Sequence, residues 1–162
     1  MLKMNQSPYS TIRHQQISSF PGVFSGSEDA LFCVVSSNTL SAQAHEALVA
    51  SAQRLGYHIK QLAFITLDTS QTSAEEDSSS CAVTPQNLLS VLEALDPLAV
   101  VLTDHHASEI ASSAYNVPLA LEQREFLLGH GCCCFESFEE LLTTPQNKQR
   151  AWACLKTLPG LA

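Results

Sequence analysis

At 162 residues and 45% hydrophobic content, the chain suits a single domain with a packed core. Eight Lys+Arg against sixteen Asp+Glu give a formal charge of -8, which opposes binding to a phosphate backbone unless basic residues gather on one face; no Lys- or Arg-rich run does so. No apolar run approaches the ~18 residues of a membrane span, the N-terminus lacks the apolar core of a signal peptide, and the six cysteines match no paired disulfide framework. A cytoplasmic chain without membrane contact is therefore expected.

Residues 1–29 are mixed in character and broken by Pro8, Pro21, Gly22 and Gly26, which predicts an irregular N-terminal arm. A single α/β domain is expected over 30–162. Ala30 to Val35 reads as the first strand, ending at the polar turn Ser36-Ser37-Asn38-Thr39. Ala44, Leu48, Ala52 and Leu55 share one helical face, and Gly56 is placed to close that helix in a left-handed conformation. Gln61 to Leu67 predicts a second strand, which runs into a mobile polar loop over 68–83. Thr84-Pro85 opens a helix with Leu88, Val91, Leu92 and Leu95 as its buried stripe, ended by Pro97.

Leu98 to Leu102 is a continuous apolar run, followed by Ala107, Ile110, Ala111 and Ala114 at helical spacing, hence a buried strand feeding a helix. No period is legible from Pro118 to Gly131, after which Cys132 to Phe135 predicts a short fourth strand. Thr144-Pro145 opens a last helix whose Trp152, Leu155 and Leu158 face inward before Pro159-Gly160 stops it. Strand and helix alternating four times imply a three-layer α/β fold with a four-stranded, mainly parallel sheet. Ligands of such sheets bind at the carboxyl ends of the strands, where Ser36 to Thr39 and Thr103, Asp104, His105 and His106 fall.

Asp104 with His105 and His106 suits acid/base or metal chemistry, since a carboxylate orients an imidazole that titrates near neutrality. Adjacent residues at a helix start diverge by ~100°, so at most one histidine is expected to face a given site. The alternative is a polar first turn with Asp104 as its cap. Cys132-Cys133-Cys134 beside His130 suggests zinc or an iron–sulfur cluster, but consecutive strand residues alternate faces and cannot converge on one ion. Buried apolar cysteines, with one exposed thiol open to oxidation, are expected instead. Trp152 and Phe138 could stack on a nucleobase, although Trp152 falls on the apolar stripe of its helix. Gly129-His130-Gly131 lacks the Lys and spacing of a phosphate loop, and no G-x-S-x-G nucleophile elbow is present.

The tail Leu141-Leu-Thr-Thr-Pro-Gln-Asn-Lys-Gln-Arg-Ala-Trp-Ala-Cys-Leu resembles the close of bacterial and archaeal uracil-DNA glycosylases. Phe64-Ile65-Thr66, the helix from Thr84-Pro85 to Pro97, and Val100-Val101-Leu102 with Ala107 are similar to other parts of that family's frame, over about residues 30–158. The resemblance implies a uracil-DNA glycosylase-like fold and adds Leu67 and Ser137 to the cleft. These enzymes read a flipped uracil with an Asn and stabilise its departing anion with a His. Leu67 stands at the Asn position, and Ser137-Phe138-Glu139 replaces the family's His-Pro-Ser.

The frame also resembles the psi subunit of the bacterial DNA polymerase III clamp-loader assembly, a non-catalytic protein with an irregular N-terminal arm. The expected function is thus a non-catalytic protein-interaction module linked to DNA replication or repair. A protein partner, little direct nucleic-acid binding, no metal and no cofactor are expected. The alternative is an enzyme or nucleobase binder using Asn38, Asp104 and His105.

Overall fold

A computed structural model describes residues 8–67 and 83–161, so most of the polar loop expected over 68–83 lies outside the described residues. The described elements are helices α1 (Pro8–Ser18), α2 (Ala42–Arg54), α3 (Pro85–Leu95), α4 (His105–Tyr115) and α5 (Pro145–Leu155). Strands β1 (Val23–Gly26), β2 (Phe32–Ser36), β3 (Leu62–Thr66), β4 (Ala99–Leu102), β5 (Arg124–Leu127) and β6 (His130–Cys134) form one sheet of order β1-β3-β2-β4-β6-β5.

The central strands β3, β2, β4 and β6 run parallel, and β1 and β5 close the two edges antiparallel. The sheet is therefore mixed and six-stranded, rather than four-stranded. β2, β4 and β6 are buried at every position, as parallel strands covered on both faces must be. Alternate residues feed two cores. Cys33, Val35, Val100, Leu102, Cys132 and Cys134 pack with α1, α3 and α4, whereas Phe32, Val34, Val101 and Cys133 pack with α2 and α5. This gives the expected three layers.

The helix starts follow from local chemistry. Ser41, Thr84, Asp104 and Thr144 each accept a backbone N–H three residues on, with Pro85 and Pro145 in the first turns of α3 and α5. Gly56 adopts φ +97° just beyond α2 and, with Tyr57, returns hydrogen bonds to Gln53 and Ala52. Val83, assigned to the polar loop, is buried against the α3 side of the core.

The N-terminal arm departs from expectation. Pro8 opens α1 rather than breaking it, being suited to a first helical turn. Of α1's residues only Ile17 is buried, so no apolar period marked the helix. Arg13 fixes it from a distance, donating to the carbonyls of Ala94 and Glu28 and to Asp29 Oδ1 at 3.2, 3.2 and 2.8 Å. Gly26, at φ +107°, has no room for a side chain because a Cβ would lie 2.4 Å from the Leu62 carbonyl, and this lets β1 lie against β3. At the other edge, β5 buries only Leu127 and so carries no legible apolar pattern. It pairs with β6, which begins at His130, earlier than the cysteine run suggests.

Candidate functional site

The chain leaves β2 for β3 on one side of it, then crosses β2 to reach β4 on the other side. The crevice beyond the carboxyl ends of β2 and β4 is thus a topological switch point, the usual ligand position in open α/β sheets. A cleft of 400 Å³ occupies it.

Ser36, Ser37, Asn38, Thr39, Thr103, Asp104 and His105, placed at the strand ends by the sequence, line this cleft, and so does Ser137, which entered through the glycosylase resemblance. Leu67 does not. It is 6% exposed, belongs to the core under α3, and donates its N–H to the Ser36 carbonyl at 2.9 Å. Sequence reasoning missed Leu40 and Glu136 as lining residues, and Glu139 entered it only as part of the Ser137-Phe138-Glu139 replacement. Both His105 and His106 border the cleft, because the first turn of α4 sits on its rim.

Asp104 organises the floor. Its Oδ1 accepts the Ala107 N–H at 2.9 Å, capping α4, and also accepts the Ser37 hydroxyl. Its Oδ2 accepts the Ser37 N–H at 2.8 Å and the Thr103 hydroxyl at 3.3 Å. Backbone bonds add to this lacing: Thr103 N to Val35 O at 3.0 Å, Phe138 N to Thr103 O at 2.8 Å, and His105 N to Glu136 O at 3.1 Å. The segments following β2, β4 and β6 are tied to one another across the crevice. The capping role considered for Asp104 is therefore present, extended by a second role as a latch on the β2 loop.

The other polar groups are exposed or engaged in structure. His105 Nε2 lies 3.0 Å from Glu109 Oε1 and its Nδ1 3.5 Å from Glu136 Oε2, with all three side chains more than half exposed. Asn38 and Thr39 are exposed at the rim. Glu139 Oε1 accepts the Ser41 N–H at 2.8 Å, placing negative charge at the amino end of α2, where the helix dipole favours it. Phe138, considered for base stacking, is 1% exposed and packs edge-on against Phe135 with ring centres 5.3 Å apart. Trp152 is half-buried rather than fully inward, with the Arg54 guanidinium 4.4 Å over its ring.

Catalysis by a serine needs a base in contact with the hydroxyl. Among the described residues the Ser37 hydroxyl bonds to Asp104 and no histidine engages a cleft serine. Cys132, Cys133 and Cys134 are all fully buried, so none is the exposed thiol expected. Cys132 and Cys134 share one face with sulfurs 3.9 Å apart, and Cys133 faces the other core, 3.1 Å from the Cys154 carbonyl. The hydrogen bond to Cys134, together with burial, pushes the Cys132 thiol up, and burial raises Cys33 to about 12. His130 is buried, its Nδ1 2.6 Å from the Pro97 carbonyl and its Nε2 3.2 Å from Glu93 Oε1. Among the described residues no cluster of His, Cys, Asp or Glu is arranged to hold a metal ion, and no helix is long and apolar enough to cross a membrane.

No protein-family model matches the chain, and no curated protein matches it.

Proposed function

We propose that the protein is a non-catalytic interaction module on a uracil-DNA glycosylase-like frame, linked to DNA replication or repair and working through a protein partner. The observation that carries this reading is the charge of the cleft. Among the described residues its lining holds Asp104, Glu136 and Glu139 and neither Lys nor Arg, with Glu109 beside His105. Such a wall repels phosphates and suits a cationic or neutral protein surface. The fates of the glycosylase positions agree with it: Leu67 is turned into the core, Phe138 is buried, and Glu139 caps α2.

The alternative reading, an enzyme or nucleobase binder using Asn38, Asp104 and His105, draws on the cleft's position at the switch point. A cytoplasmic setting is proposed from the free thiols of Cys33, Cys132, Cys133, Cys134 and Cys154, which suit a reducing compartment.

The discriminating assay incubates the protein with uracil-containing single-stranded and duplex oligonucleotides at low salt, where phosphate binding is most favoured. The proposal expects neither abasic sites nor retention of the oligonucleotide. Uracil release abolished by Asp104→Ala or Asn38→Ala would overturn it and establish the alternative.

A further inference from the structure

A second concavity, of 260 Å³, runs between α2 and α5 and shares no lining residue with the acidic cleft. Its walls are low because small residues face it, Ala47 and Ala50 from α2 and Ala151 from α5, and its floor is the apolar surface of Phe138, Leu142 and Leu155. The chain's sole tryptophan, Trp152, forms part of one wall and is left half-buried although it belongs to the adjoining core cluster. A half-covered indole beside a row of alanines leaves room for one bulky apolar side chain.

The charge of this groove is opposite to that of the molecule. Arg54 and Lys148 line it and, among the described residues, no carboxylate does, in a chain whose net charge is -8. Among the described residues neither cation is paired with a carboxylate, whereas Arg13 and Arg150 are paired with Asp29 and Glu122. The Arg54 guanidinium carbon lies 4.4 Å from the centre of the Trp152 ring, a cation–π contact that leaves the charge on the groove's surface. An arginine resting on a ring has lost part of its side-chain freedom already, so less is lost when a carboxylate binds it.

We propose that the α2–α5 groove docks a partner's acidic peptide segment, one bulky apolar side chain seated against Trp152 and flanking carboxylates on Arg54 and Lys148. It names the partner chemistry for a module that binds protein, and rests on the protein-binding reading for that alone, since the groove and the cleft are separate. The recognition is a small apolar anchor with a charged rim, the arrangement of weak and reversible peptide docking.

The test uses a fluorescein-labelled seven-residue peptide, acetylated and amidated, with one phenylalanine among glutamates, and its counterpart with every glutamate replaced by lysine. Fluorescence anisotropy at low salt should show saturable binding of the acidic peptide and none of the basic one. An unlabelled acidic peptide should shift the emission of Trp152, the only indole present. Arg54→Glu and Lys148→Glu, both at exposed positions, should weaken binding at least tenfold each while the chain still melts cooperatively, Arg54→Glu a few degrees lower for its lost contact with Trp152 and Lys148→Glu at an unchanged midpoint. Lys60→Glu, an exposed charge reversal outside both the groove and the cleft, should leave binding unchanged.

Ala50→Trp, which fills the groove while leaving both cations in place, should also abolish binding. The proposal is overturned if the wild-type chain binds neither peptide, binds both equally, or binds the acidic one unaffected by the charge reversals. Sedimentation showing a dimer that Ala50→Trp dissociates would likewise overturn it, assigning the groove to a second copy. A failure here leaves the uracil-release result untouched, so the two proposals fall separately.

Discussion

Asp104→Ala separates a structural latch from a catalytic acid by its effect on stability. The substitution removes the α4 cap, which costs about 1 kcal/mol. It also strips the acceptor from the Ser37 N–H, in a residue only 7% exposed, and an unsatisfied donor there costs about 1–3 kcal/mol. The sum, roughly 3 kcal/mol, corresponds to a fall of about 6–12 °C in the thermal midpoint for a chain of this size. Asp104→Asn keeps one oxygen acceptor and should fall about half as far, since the amide nitrogen cannot accept the second set of bonds. Asn38→Ala, at the exposed rim, should stay within about 0.5 kcal/mol of the parent.

Circular-dichroism melts of these variants and of Ser37→Ala suffice. The Ser37→Ala and Asp104→Ala effects should be non-additive, because both remove the same hydroxyl–carboxylate bond. A catalytic carboxylate held for chemistry would behave otherwise, its removal leaving the fold equally or more stable. A midpoint change below about 2 °C for Asp104→Ala would refute the latch.

Two further outcomes follow from the core. Burial holds the Cys33 thiol at about 12 against an ordinary 9.0, so the folded state favours the protonated form. The resulting stabilisation is complete below pH 9 and is lost as pH rises from there toward 12, in total about 4 kcal/mol for a shift of this size. Urea midpoints between pH 8 and 11 should therefore decline, and less steeply in Cys33→Ala; equal slopes would remove Cys33 from the account. In β6, a Cβ on Gly131 would lie 2.4 Å from Pro159 Cδ and 2.8 Å from its Cγ. Gly131→Ala should destabilise by about 1–3 kcal/mol and be largely restored by adding Pro159→Ala, a recovery visible in chemical denaturation.

The helices α2, α3, α4 and α5 and the strands β2 and β4 were legible in the sequence because their causes are local. Ser41, Thr84, Asp104 and Thr144 each cap from three residues away, and the apolar stripes repeat within a single turn or run. The same local signals placed most of the cleft, since strand ends and helix starts meet there in any parallel sheet. What the tertiary structure alone decided depends on partners distant in sequence. Helix α1 is held by Arg13 reaching Ala94, and the edges β1 and β5 bury too little apolar surface to imprint a period. Glu139 closes one side of the cleft by capping α2 across 98 residues, and Arg54 meets Trp152 only because α2 and α5 cover the same face of the sheet. Composition and periodicity record which residues are buried; they carry no record of which exposed charges the fold brings together.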